Sequence, residues 1–438
     1  MKTIDSLICA RWLIPVEPEG VCLEHHCIAV ENGVILDVLP SNTARTKYQA
    51  RETINLTEHA LITGLVNAHT HAAMTLFRGL ADDRPLMDWL QNHVWPAEAK
   101  WVRPEFVRDG SELAAAEMLK SGTTCFNDMY FFAEETAQVA HNAGLRACIG
   151  MIVFDFPTAY AHTPEEYLEK GLALHDTWRN NELITTAFAP HAPYTVSDGP
   201  LERICTLNNE LNRPVHMHVH ETAHEVEQAV AQHGSRPLAR LKKLDLLGPQ
   251  LAAVHMTQLL PEEIQSLAEY GVHVLHCPES NLKLASGFCP VHALIQAGVN
   301  VALGTDGAAS NNDLDMLAEM RACALLAKAV AGEATAVPAA AALRMATLNG
   351  ARALGLDERI GSLTAGKAAD LVAIDLGRIA SQPVYDPISQ IVYTAGRDQV
   401  TDVWVAGKRL LQDGRLTTLD EETILGKAQA WRDKISVK

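Results

Sequence analysis

His69 and His71 close the segment Leu61-Ile-Thr-Gly-Leu-Val-Asn-Ala-His-Thr-His71. Residues i and i+2 of a strand project from one face, so an apolar run ending in His-x-His sets two imidazoles side by side at a strand end. Such a pair packs poorly as core. It clamps a borderline-soft divalent cation well, with Zn–N near ~2.0–2.1 Å. His218 and Asp306 can complete the shell, giving three imidazoles and a carboxylate around one ion. An ion so held lowers the pKa of water from ~15.7 toward about 7. Asp306 is then poised to take a proton, Glu221 to reach a substrate nitrogen, and His255 to polarise the attacking oxygen.

Each residue also has a plainer reading. Asp306 taken alone suits the N-cap of a following helix, and only the other ligands reverse that. His216, His218 and His220 share one strand face, so periodicity does not choose among them. The His218-x-x-Glu221 step, together with the family resemblance described below, favours His218, leaving His216 as a deeper, hydrogen-bonded core residue. His255 also fits a buried structural imidazole, and Glu98 a solvated helix position. The Trp89, Trp95 and Trp101 spacing suits core packing as well as base stacking. His25, His26, His141, His162, His175, His224, His233 and His292 fall in loops or polar helix faces and are expected at the surface.

These residues need elements to position them. The middle of the chain alternates short apolar runs with helical stretches, the pattern of a parallel sheet. The runs are 61–69, Thr123–Asp128, Ala147–Val153, Ile184–Ala189, Pro214–His220, Leu251–His255, His273–His276 and Val301–Gly304. Amphipathic segments such as Phe106–Lys120 and Pro261–Tyr270 separate them, and Ala331–Ala342 is an Ala-rich stretch expected to be helical. Eight strands with intervening helices point to a (β/α)8 TIM barrel, whose chemistry sits at the C-terminal strand ends. The histidines and Asp306 fall at those ends.

The two ends of the chain are β-rich. Asn32-Gly33 between apolar runs signals a hairpin, and Val403-Trp-Val-Ala-Gly-Lys-Arg-Leu-Leu411 carries a similar turn. A small β-sandwich domain built from both termini is expected, from 1–60 and 365–438, around a catalytic barrel over 61–364.

The formal charge of −17 argues against nucleic acid as a partner. No apolar run reaches the ~18–20 residues of a membrane span. Nine scattered cysteines without a Cys-x-x-Cys pair suggest reduced thiols and a cytoplasmic protein.

Asn-Ala-His-Thr-His71, His218-x-x-Glu221, His255 and Gly-Thr-Asp306 together resemble the amidohydrolase superfamily, as does the tail Ile360-Gly-Ser-Leu-Thr-Ala-Gly-Lys-Ala-Ala-Asp-Leu-Val372. Met87-Asp-Trp-Leu90, Trp95-Pro-Ala-Glu-Ala-Lys100, Ala189-Pro-His-Ala-Pro193 and His276-Cys-Pro-Glu-Ser-Asn-Leu-Lys-Leu-Ala-Ser286 are similar to the methylthioadenosine/S-adenosylhomocysteine deaminases within it. The resemblance implies Zn²⁺, with Fe²⁺ or Mn²⁺ as alternatives, and a homodimer or tetramer. It implies hydrolytic deamination at C6 of an adenine nucleoside. Glu98 and His191 would contact that substrate, Glu221 would protonate the ring, and Asp306 would reach both ion and substrate. One departure matters. The stretch from Ala147 to Trp178 contains no arginine to pair with an amino-acid carboxylate, which favours 5′-methylthioadenosine over S-adenosylhomocysteine. Guanine deaminases and triazine hydrolases are the enzymatic rivals, and a non-catalytic barrel scaffold the distant one.

Overall fold

Gly64 is where the chain passes from one sheet to another in the computed structural model, which describes residues 1–436. Before it, Tyr48–Thr63 is a long strand of an eight-stranded mixed sheet; after it, Leu65–Thr70 opens an eight-stranded parallel sheet. A Cβ on Gly64 would lie 1.8 Å from Thr124 Oγ1, so only glycine allows the close approach. The expected strand over 61–69 is corrected accordingly. Leu61, Ile62 and Thr63 pair with Ala373, Val372 and Leu371 in the mixed sheet.

The parallel strands are Leu65–Thr70, Thr123–Asp128, Arg146–Val153, Ile184–Pro190, Val215–Val219, Leu251–His255, His273–His276 and Asn300–Leu303, in that spatial order. Most are buried along their whole length, as strands covered on both faces must be. Helices cover the outside. Pro104–Lys120, for example, buries Val107, Ser111, Ala114, Ala115 and Met118 along one stripe.

The barrel closes between its eighth and first strands through a side chain. Asn67 Oδ1 accepts from Thr305 N at 3.0 Å, and Asn67 Nδ2 donates to Thr305 Oγ1 at 2.8 Å. Asp306 N then donates to His69 O at 3.0 Å. A Cβ on Gly304 would meet His69 N at 2.6 Å, so this glycine lets the two strands approach. The seam thereby joins His69 to Asp306.

The mixed sheet takes strands from both ends of the chain. Leu371–Asp375 lies against Tyr48–Thr63, which pairs in parallel with Lys2–Ile14. Hairpins flank them. Asn32 (φ 52°) and Gly33 (φ 75°) turn Leu23–Glu31 into Val34–Pro40, and Ala406 (φ 47°) and Gly407 (φ 74°) turn Val400–Val405 into Lys408–Gln412. Ile28 and Ile35 from one end of the strand order share a core with Leu371 and Trp404 from the other, so the sheet curls into two layers.

Three further expectations are corrected. Cys9 and Cys27, direct partners across adjacent antiparallel strands, form a disulfide, while seven cysteines are free. Ala331–Ala342 is not one helix, because Gly332 (φ 65°) caps Met316–Ala331 and the next helix starts only at Ala339, after Pro338. His175 is buried, its Nδ1 2.7 Å from Thr186 Oγ1, because it sits on the inner face of helix Pro164–Trp178. Among the described residues no helix is long and apolar enough to cross a membrane.

Candidate active site

The C-terminal strand ends converge on His69, His71, His218 and Asp306, whose ligand atoms all lie within 4.8 Å of one another. Asp306 Oδ1 is 3.3 Å from His69 Nε2 and 3.2 Å from His71 Nε2. The other ring nitrogens are engaged away from the centre. His71 Nδ1 donates to Met129 O at 2.6 Å, and His218 Nδ1 donates to His191 O at 2.8 Å. A carbonyl only accepts, so these rings carry their proton on Nδ1 and turn the Nε2 lone pair inward. His69 Nδ1 meets His216 Nε2 at 2.7 Å, and His216 is fully buried.

The donor set fits one divalent cation. His69 Nε2 is buried with no hydrogen-bond partner, which a cation would supply. Burial works against a charged His71, yet the neighbouring Asp306 carboxylate lifts it to about 9.

Asp306 divides its oxygens. Oδ2 accepts from Ser280 Oγ at 2.6 Å and Ser310 Oγ at 2.9 Å, leaving Oδ1, which also accepts from Gly307 N, to face the histidines. His255 Nδ1 lies 2.9 Å from Asn281 Oδ1, and its Nε2 is 3.8 Å from Glu221 Oε2. Burial, and secondarily the charge of Asp306, push Glu221 up to about 8. His220, His255, Met256 and Asp306 all have positive φ (54°, 74°, 52° and 62°). Strained backbone at three strand exits marks the end of the barrel where side chains are being aimed.

A cavity open to solvent lies above this cluster. Glu98, His191, Glu221 and His255 line it together with Leu86, Trp89, Leu90, Phe131, Ile152 and Phe154. Tyr130 Oη donates to Glu98 Oε1 at 2.7 Å; burial nevertheless pushes Glu98 up to about 7. His191 stacks on Phe154 with ring centroids 4.6 Å apart, and burial brings it down to about 3, so the ring is neutral. Its Nδ1 meets Thr195 Oγ1 at 2.9 Å. Trp89 and Trp95 also line the cavity.

His69, His71, His218, Asp306, Glu221, His255, Glu98 and His191 therefore border one cavity or its metal-type cluster, with His216 beneath them, whereas Trp101 is not among the residues that line it. Sequence reasoning missed Ser280, Ser310, Tyr130 and Asn67, and gave Asn281 no role. Ser280 and Asn281 sat inside a segment already noted, but nothing in the segment said which atoms they hold.

An eight-stranded parallel barrel with three imidazoles and a carboxylate at its strand exits defines a class, the metal-dependent barrel hydrolases. Residues 60–410 match the amidohydrolase family, and the chain belongs to it. It is 52% identical to a 5-methylthioadenosine/S-adenosylhomocysteine deaminase of Teredinibacter turnerae, over 100% of this chain and 99% of that one. It is 55% identical to an adenosine deaminase from Xanthomonas campestris whose crystal structure has bound zinc; the TM-score is 0.99 and each chain is covered in full, 100%. An atrazine chlorohydrolase from Arthrobacter aurescens, 23% identical with a TM-score of 0.90 over 97% of this chain and 99% of that one, shares the fold.

Proposed function

We propose that the chain hydrolytically deaminates adenine nucleosides at C6, with 5′-methylthioadenosine the preferred substrate. The observation that carries this reading is a buried Glu221 on the wall of an apolar cavity, beside a three-histidine, one-aspartate cluster. His69, His71, His218 and Asp306 would hold zinc, the ion bound in the Xanthomonas relative. When bound, the ion lowers the pKa of water and so makes it a nucleophile at neutral pH.

The residues of the chain do the rest. Glu221 keeps its proton at neutral pH and delivers it to the ring nitrogen beside C6, which makes that carbon electrophilic. Asp306 Oδ1, facing away from the serines, accepts the proton given up by water and passes it to the departing ammonia. His255, its tautomer held by Asn281, presents Nε2 to the reacting oxygen. Glu98 suits the sugar hydroxyls, and neutral His191 offers an acceptor nitrogen to the nucleoside. Phe131, Ile152 and Phe154 exclude water around the base and the 5′ substituent.

Among the described residues, no lysine or arginine lines the cavity. A methylthio group loses nothing there. An amino-acid carboxylate is desolvated without a partner, so S-adenosylhomocysteine is expected to turn over less efficiently. No observation favours guanine or triazine chemistry. The reading assigns the enzyme to the cytoplasm; its seven free thiols support this, and the Cys9–Cys27 disulfide counts against it. A homodimer or tetramer, implied by the family resemblance, is checked by sedimentation velocity.

The test is metal analysis of the purified protein, then side-by-side assay of methylthioadenosine, adenosine, S-adenosylhomocysteine, guanine and a chlorotriazine. One zinc per chain and rapid loss of adenine absorbance with methylthioadenosine are expected. Full turnover after exhaustive chelation, or none on either adenine nucleoside by metal-replete protein, would refute the reading.

A further inference from the structure

Glu225 lies one helical turn beyond Glu221 and is buried, only 6% exposed, although it is a carboxylate at the rim of the barrel. Both of its oxygens are occupied by backbone. Oε1 accepts from His220 N at 3.0 Å, and Oε2 accepts from Glu221 N at 2.7 Å. These two N–H groups belong to the turn by which the chain leaves the fifth barrel strand. His220 stands there at φ 54°, a conformation unfavourable for a residue with a Cβ. The same turn is pinned on its carbonyl side: Thr257 Oγ1 donates to Glu221 O at 2.7 Å, and Thr257 N donates to His220 O at 3.0 Å.

A buried carboxylate is expensive unless its lone pairs are satisfied. Here they are satisfied by the two peptide groups that decide where the Glu221 side chain points. The helix does not require this. Thr222 already caps helix Ala223–His233 by accepting from Glu225 N, so the Glu225 side chain adds nothing to the capping of that helix.

We propose that Glu225 is a positioning residue for the reaction: its carboxylate brackets the His220–Glu221 turn and so aims the Glu221 carboxyl at the substrate ring. The proposal rests on the reading of Glu221 as proton donor. The bracket acts only through Glu221, and this gives the inference its own signature. Glutamine at 225 has the size of glutamate but one acceptor oxygen, and its NH2 group must oppose the second peptide N–H.

The test is a double-mutant cycle on metal-replete protein with methylthioadenosine. Glu225→Gln is expected to lower kcat by roughly 10–100-fold, the range for outer partners that orient active groups, with KM nearly unchanged and metal content retained. Glu221→Gln alone should be slower still. The Glu221→Gln/Glu225→Gln double variant should be no slower than Glu221→Gln, because the bracket then has nothing to aim. Thr222→Ala, which weakens the helix cap and leaves the bracket intact, should lower Tm and keep kcat. If the two losses multiply in the double variant, or Glu225→Gln retains the parental kcat, the positioning role is wrong while the role of Glu221 stands. If Glu221→Gln itself keeps full activity, the parent reading falls, and the bracket with it.

Discussion

Asp306 performs two tasks because its two oxygens face different neighbours. Ser280 and Ser310 fix Oδ2, and Oδ1 is left to the histidines. Removing both hydroxyls frees the carboxylate to rotate, so a Ser280→Ala/Ser310→Ala variant should bind zinc roughly 10–100-fold more weakly. Competition against a chelating dye measures this, and an unchanged affinity would mean the serines only fill space. Glu221 sets the pH response. Its carboxyl is pushed up to about 8 and is useful only while protonated, so kcat should fall as pH rises toward that value. A cation beside Asp306 screens the repulsion and draws this limb downward. A profile that instead keeps rising to pH 9 would remove Glu221 from the proton transfer. The histidines and Asp306 were legible in the sequence because each ends an apolar run, where a polar side chain needs a reason. Ser280, Asn281 and Glu225 were not, because their tasks are bonds to Asp306, His255 and two peptide groups, made only once separate strands converge.

At the scale of elements, the wall over the cavity is the least regular part of the site. Leu86–Asp88, Trp89–Val94 and Trp95–Trp101 run on as one helix whose middle portion is wound as a π-helix. An extra residue in a helical turn re-aims everything on one side of it, here setting Leu86, Trp89 and Leu90 over the cavity that Glu98 also lines. Deleting the exposed Gln91 should restore α spacing and rotate the two halves by ~100° relative to each other. Expected are a roughly tenfold or larger rise in KM for methylthioadenosine and an unchanged metal content. Equal KM values would make the π turn incidental. The near-helical spacing of Trp89, Trp95 and Trp101 announced a helix but not its widened turn. Likewise the apolar run at 61–69 announced a strand but not the break at Gly64, which is imposed by Thr124 from elsewhere in the barrel. Asn32-Gly33 was the opposite case. Both residues need φ > 0 for the turn they make, so the local sequence alone specified the hairpin.

Across the whole molecule, the barrel and the mixed sheet are joined at the N-terminal ends of the barrel strands, opposite the cavity. Arg146, first residue of the third barrel strand, meets Asp370, immediately before strand Leu371–Asp375, through Nε–Oδ2 at 3.0 Å and Nη2–Oδ1 at 3.2 Å. The two side chains are 3% and 1% exposed. Further bonds spread from the pair: Arg146 Nη1 donates to Glu182 O, Asp370 Oδ1 accepts from Ala406 N, and Asp370 O accepts from Gly64 N. Two β-rich chain ends around an α/β middle could be foreseen from composition and turn signals. That Leu371–Asp375 lies beside Tyr48–Thr63 could not, because the partners of a strand are chosen by long-range packing. Arg146→Met keeps the bulk and removes the charge, leaving Asp370 buried without its partner. The expected loss is about 3–5 kcal/mol, visible as a lower urea midpoint. The folded variant should retain its metal and its kcat, because the pair lies at the end of the barrel away from His69 and Asp306. A stability equal to that of the parent would mean that apolar packing alone joins the two sheets. A loss of kcat without a loss of stability would mean instead that the junction reaches the strand exits through the barrel.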